Sequence, residues 1–189
     1  MTLSSARFSI QSTKVNGAKI LKRKPIRDVR GAFERLFCKD EYDFHDLAFD
    51  VRQINLSRSV EPGTVRGIHL QHSPAEEKKI ISCVSGAVWD VVVDLRFNSS
   101  TYGQWDAIEL SEDNDLSLFI PRGCGHCFQA LNKNSKLIYF HSHDYKPRYE
   151  GGVNPLDPDL NISWPLPVVN LSERDGNLPS LTKFKELQG

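Results

Sequence analysis

The 189-residue chain is poor in the features that announce a membrane protein, a secreted scaffold or a polyanion binder. Its four cysteines, Cys38, Cys83, Cys124 and Cys127, carry little weight as a disulfide framework. In a reducing compartment they would be thiols. No apolar run approaches the roughly 20 residues that cross a bilayer. The opening MTLSSARFSIQSTKVNG lacks the continuous apolar core of a secretory signal, so the expected location is cytoplasmic. Twenty-four Lys and Arg balance 24 Asp and Glu, which argues against a nucleic-acid or membrane partner. A local basic pocket is still allowed. There is no internal repeat and no low-complexity linker, and the length predicts a single domain over residues 1–189.

What is present reads as β-structure. From residue 51 onward, strand-like runs recur: VRQINLS, TVRGIHLQ, KIISCV, AVWDVVVDLR, QWDAIEL, LSLFIP, HCFQAL and KLIYFHSH. Polar turns separate them, among them Pro62-Gly63, Ser85-Gly86 and Asn132-Lys133-Asn134. Short strands at near-regular spacing predict an all-β sandwich or barrel. Residues 88–95 are apolar at most positions, as expected of a strand covered on both faces. The first fifty residues are less regular, and RGAFERLF could be a strand or a short helical turn. The tail from about residue 152 is rich in Pro and Asn. It predicts a wrap around the barrel with a short helix near its end, where Ser172 and Asp175 resemble a capping box with Asp in place of Glu.

His69 leads the candidate chemistry, as a general base, as a metal ligand, or as a satisfied barrel histidine. Arg66, Gln71 and Lys79 lie close in sequence and could converge with it at a barrel mouth, making a cationic cavity for a phosphorylated or enolate-like ligand. His72 completes an H-x-x-H, but strand spacing sends the two rings to opposite faces. Cys124-Gly-His-Cys127 contains one C-x-x-C, and two buried thiols are the favoured reading over a zinc site. His126 follows a turn and could enter the cavity of His69. Tyr139 could be core, or an acid or base whose phenol is made more acidic by nearby cations. His141 and His143 alternate with Tyr139 and read as solvated strand-end histidines. Asp175 is a surface charge unless the tail folds back to orient His69.

Taken in order, RGIHLQ, KKIISCVSGAVWDVVVDLR, SSTYGQW, IPRGCGHCFQAL, LIYF, DPDLNISWP and LSERD resemble the dTDP-4-dehydrorhamnose 3,5-epimerase family over residues 30–175. The resemblance implies a double-stranded β-helix, the cupin-like jelly roll, with an N-terminal arm and an irregular C-terminal tail. It implies a homodimer that works with no cofactor and no metal on a nucleotide-diphosphate sugar. The reaction would be epimerisation of a 4-keto-6-deoxy sugar, by way of an enolate. By the same resemblance His69 is the base and Asp175 orients it. Lys79 and His126 stabilise the enolate, and Tyr139 returns the proton. Arg30 and Arg66 meet the diphosphate, Gln53 and Asn55 lie near the sugar, and Tyr145 lies against the nucleotide. Gly67 lets the backbone pass close by.

The chain departs from the family pattern at Ala32 to Glu34, at Ile26, at Phe140 and in GGVNPLDPD. The first of these fall where relatives contact the base, so CDP or GDP stays open as carrier. Inversion at C3 alone or C5 alone also stays open. Two rival readings stand beside this one: a metal-dependent cupin using His69, His72 and His126, and a sugar-nucleotide binding module without turnover.

Overall fold

The computed structural model describes residues 7–188. Four short strands come first: β1 (Phe8–Ser12), β2 (Lys19–Arg23), β3 (Ile26–Asp28) and β4 (Gly31–Phe33). Helix α1 (Lys39–Phe44) follows. Then come β5 (Gln53–Ser59), β6 (Val65–Gln71), β7 (Lys79–Ser85), β8 (Ala87–Asp94), β9 (Trp105–Ser111), β10 (Leu116–Ile120), β11 (Cys124–Ala130) and β12 (Ser135–His141). Strand β13 (Glu150–Gly152) and helices α2 (Glu173–Gly176) and α3 (Leu181–Gln188) complete the chain. The strands form a six-stranded sheet, β1-β2-β10-β7-β12-β5, and a five-stranded sheet, β13-β6-β11-β8-β9. The two form a cupin-type jelly roll, and β3 and β4 make a separate hairpin. RGAFERLF therefore opens as a strand, and the irregular N-terminal arm supplies two strands to the larger sheet.

Alternation along β8 explains its unbroken apolar run. Val88 and Val92 point inward and pack with Ile81, Leu118 and Leu137 of the other sheet. Val91 and Val93 point outward, where Val153, Leu160, Ile162 and Phe184 of the C-terminal tail cover them. Both faces are dry, so an acid on this strand needs a close partner, as Asp90 has in His126 and Asp94 in Arg96. A third cluster lies outside the six-stranded sheet, where Phe37, Tyr42, Leu47 and Phe49 cover Ile80, Phe119 and Phe140. Burying each such side chain is worth about 1.5–3 kcal/mol.

One irregularity positions the site. Across the antiparallel β6–β11 ladder His69 faces His126, but Arg66 faces Phe128. Three steps on β6 match two on β11, so β6 bulges by one residue. In a regular strand Arg66 and His69 would point to opposite faces. The bulge turns both to the cavity. Gly67 makes it feasible. Its φ is +120°, and a Cβ there would lie 2.3 Å from the Cβ of Cys127 and 2.5 Å from the carbonyl oxygen of His126. Only glycine fits.

Candidate active site

A cavity of about 760 Å³ opens between the two sheets. On the five-stranded side, His69 and His126 are cross-strand partners and share one face. His69 Nε2 lies 2.7 Å from Asp175 Oδ1. The Gly67 amide donates to the other oxygen of Asp175 at 3.1 Å. The tail does fold back: the Val65 amide donates to the Asn170 carbonyl at 2.9 Å, which brings α2 to the cavity mouth. The Ser172 hydroxyl caps α2 by accepting the Asp175 amide at 3.0 Å. The Asp175 side chain does not return that bond; it is taken by His69 and Gly67. Burial opposes its ionisation, yet the hydrogen bonds from His69 and Gly67 outweigh it and hold the carboxyl below its usual 3.8. An ionised Asp175 accepts the Nε2 proton, which leaves Nδ1 of His69 with the lone pair.

His126 Nε2 lies 2.7 Å from Asp90 Oδ1. Here both groups are buried, and among the described residues Asp90 Oδ2 has no hydrogen-bond partner. Burial holds the imidazole below its ordinary 6.5 and pushes the Asp90 carboxyl above 3.8. Lys79 Nζ donates to the His69 carbonyl oxygen at 3.1 Å and lies 3.3 Å from Glu77 Oε1.

The six-stranded side carries Tyr139, whose hydroxyl is 3.2 Å from Ser57 Oγ and whose ring meets His126 edge-on. The expected acidification by cations is overturned. Burial dominates and pushes the phenol well above 10, so it stays protonated and suits a donor. Gln53 Nε2 donates to Asn55 Oδ1 at 3.1 Å, and both line the cavity. The Tyr145 amide donates to Gln53 Oε1, and its hydroxyl donates to Glu150 at the rim. Arg66 lines the cavity near Ser59.

Arg30 stands apart. It sits on the exposed β3–β4 hairpin, bonded to Asp28, and is not among the cavity-lining residues of its own chain. The hairpin is exposed along both strands, and the Arg30 side chain is 86% exposed.

His141 corrects a second expectation. It is not a solvated strand end: it lines the cavity, its side chain is 12% exposed, and its Nδ1 lies 2.8 Å from Glu77 Oε2. His143 bonds the Asp144 carbonyl and does not line the cavity. His72 stacks against Phe184, away from His69. Among the described residues no three His, Cys, Asp or Glu side chains gather as a metal would require. Cys124 and Cys127 are packed in the core, and burial pushes the Cys124 thiol up to about 12.

Asp90, Glu77 and Ser57 were not foreseen. Glu77 carried a signal, because Glu77-Lys78-Lys79 places alternate residues on one side of an extended chain. Asp90 also carried one: an acid within an apolar strand needs a buried partner.

A jelly roll whose open end faces a histidine–carboxylate pair toward a protonated tyrosine is built as a proton-transferring isomerase of the cupin type. The sequence profile described as dTDP-4-dehydrorhamnose 3,5-epimerase matches residues 12–183, and the chain belongs to that family. A dTDP-4-dehydrorhamnose 3-epimerase of Streptomyces niveus is 46% identical over 160 residues, covering 84% of this chain and 77% of the relative. A 4-keto-6-deoxy sugar epimerase from the novobiocin biosynthetic gene cluster of Streptomyces spheroides superposes with a TM-score of 0.91 at 35% identity, covering 96% of this chain and 91% of that one. A dTDP-6-deoxy-D-glucose-3,5-epimerase of Legionella pneumophila, solved with dTDP-4-keto-L-rhamnose, gives 0.88 at 35% identity and covers 93% of each chain.

Proposed function

We propose that the protein epimerises a dTDP-linked 4-keto-6-deoxyhexose at C3 and C5, through an enolate. The observation that carries this reading is the pair of walls. The ordered His69–Asp175 pair and the protonated Tyr139 line one cavity from different sheets. The C4 keto group acidifies the protons on C3 and C5. Nδ1 of His69 takes one of them, and Asp175 steadies the imidazolium that forms. The enolate oxygen meets the Lys79 ammonium and His126. Tyr139 returns a proton to the opposite face, which inverts the carbon, and the phenolate left behind takes a proton back from water, restoring the neutral phenol. His69 then passes its proton to water, since its side chain is 28% exposed. Arg66 holds the diphosphate, Gln53 and Asn55 hold the sugar, and Tyr145 lies against the nucleotide.

The test is proton exchange in heavy water with dTDP-4-keto-6-deoxyglucose, following H3 and H5 by NMR. Loss of both signals with an inverted product supports double epimerisation. Exchange at C3 alone supports the second reading, a 3-epimerase, which the name of the Streptomyces niveus relative favours. No exchange with dTDP, CDP or GDP sugars would sink the assignment.

The assembly we infer is a homodimer in which the hairpin reaches a second copy and brings Arg30 to its diphosphate. Supporting this are exposed Val29 and Phe33 on the hairpin and exposed Ile54 and Leu56 on the edge strand β5. Replacing Val29 and Phe33 with Ser should give a monomer with weakened dTDP binding, checked by light scattering and calorimetry.

A further inference from the structure

Glu77 and His141 stand outside the proton transfer, yet both line its cavity. Their side chains are 8% and 12% exposed. The Glu77 carboxylate is shared: one oxygen lies 3.3 Å from Lys79 Nζ and the other 2.8 Å from His141 Nδ1. His141 lies beside Lys79 on one neighbouring strand and Gln53 on the other. It follows Tyr139 by two residues on β12, so both rings face inward, stacked with centroids 5.9 Å apart.

A carboxylate that accepts the Nδ1 proton decides the tautomer. Nε2 is then left as a lone-pair acceptor. Among the described residues its hydrogen-bond partner is the Asn55 amide nitrogen at 3.4 Å, which is long for a hydrogen bond. Lys79 is already engaged by Glu77 and by the His69 carbonyl. A sheltered acceptor, oriented by a carboxylate and weakly satisfied, suits a hydroxyl donor. A 4-keto-6-deoxyhexose joined through C1 has only two hydroxyls, on C2 and C3.

We propose that His141, held by Glu77, accepts a hydrogen bond from one of these two hydroxyls and so sets which sugars the site accepts. His141 is a substrate-contacting specificity residue, and Glu77 is its positioning residue. The inference rests on the epimerase reading above. A site that pairs with a substrate hydroxyl rejects the analogue lacking it, because its own acceptor is left unpaired.

The experiment compares dTDP-4-keto-6-deoxyglucose with its 2-deoxy and 3-deoxy analogues, reading kcat/KM for exchange of the protons beside the keto carbon. The wild type should disfavour one analogue by about tenfold or more. In His141→Val that ratio should fall to within about twofold, while dTDP affinity holds. Glu77→Gln should give an intermediate ratio and raise KM for the parent sugar more than it lowers kcat. If the Val variant does not fold, His141→Asn, which moves the acceptor, gives the same readout. A wild type that treats both analogues like the parent overturns the proposal without any variant. So does a variant that keeps the full discrimination, which is the result for a pair that serves only to brace the strands. If the wild type exchanges no proton even on the parent sugar, the epimerase reading itself has failed and this proposal falls with it.

Discussion

Two histidine–carboxylate pairs sit side by side on the β6–β11 ladder with the same 2.7 Å contact. They differ in everything around that contact. The His69 side chain is 28% exposed, and both oxygens of Asp175 are occupied. The His126 side chain is 7% exposed, and one oxygen of Asp90 has no hydrogen-bond partner among the described residues. The first imidazole can gain a charge that its carboxylate is ready to meet and lose it again to water. The second would have to hold that charge where burial opposes it. A short contact to a carboxylate therefore does not by itself make a base. Solvent access and a fully satisfied anion decide which of the two pairs can turn over a proton.

Breaking the first pair should have the largest effect. His69→Ala should slow deuterium exchange beside the keto carbon about 10³-fold. Near-normal exchange in that variant would mean the base lies elsewhere. Tyr139→Phe tests the opposite wall. It should cut formation of the inverted product about 10²-fold while deuterium still enters, since His69 can return the proton to the face it came from. If exchange and inversion fall together, the two walls do not have separate tasks. Asp175→Asn should lower kcat about 30-fold with little change in KM, because the amide can stabilise the wrong tautomer.

Gly67→Ala attacks the residue that links the pairs, as its amide anchors Asp175 and its bare Cα admits the backbone of His126. Denaturant melts should show a loss of about 2 kcal/mol or more. The smallest effect is on pH. The Asp175 carboxyl sits below its ordinary 3.8, so it stabilises the fold above that value. That contribution is lost as the pH falls through the native value. Acid unfolding of Asp175→Asn should therefore be shallower than wild type below pH 3.8, and identical slopes would remove the carboxylate from the fold's pH response.

Alternation made the strands from β5 to β12 legible, and the apolar run of β8 correctly announced two covered faces. His69, His126, Lys79 and Tyr139 were legible as cavity candidates because each lies on a strand with an identifiable inner face. Arg66 beside His69 was not explained by spacing, since an odd separation points residues apart. The bulge that reunites them depends on β11, a partner some sixty residues distant. Asp175 needed the whole tail to return, and no local pattern encodes a contact across 106 residues. Glu77 lies in a run of four charges, Glu76 to Lys79, where composition suggests a solvated turn. The rise of the Tyr139 phenol reflects burial between sheets, which sequence proximity to cations does not report. Arg30 shares no wall with its own cavity, because the hairpin that carries it pairs with no other strand among the described residues.

The 760 Å³ opening between the sheets is interior volume that the polypeptide does not fill. A nucleotide sugar seated there would complete the sandwich and bind the native state alone. At a concentration 100 times its Kd, such a ligand adds about 2.7 kcal/mol to the free energy of unfolding. Resistance to heat and to proteases should then rise with the supply of substrate, so that a melting curve recorded against candidate nucleotides becomes a direct way to find the natural one.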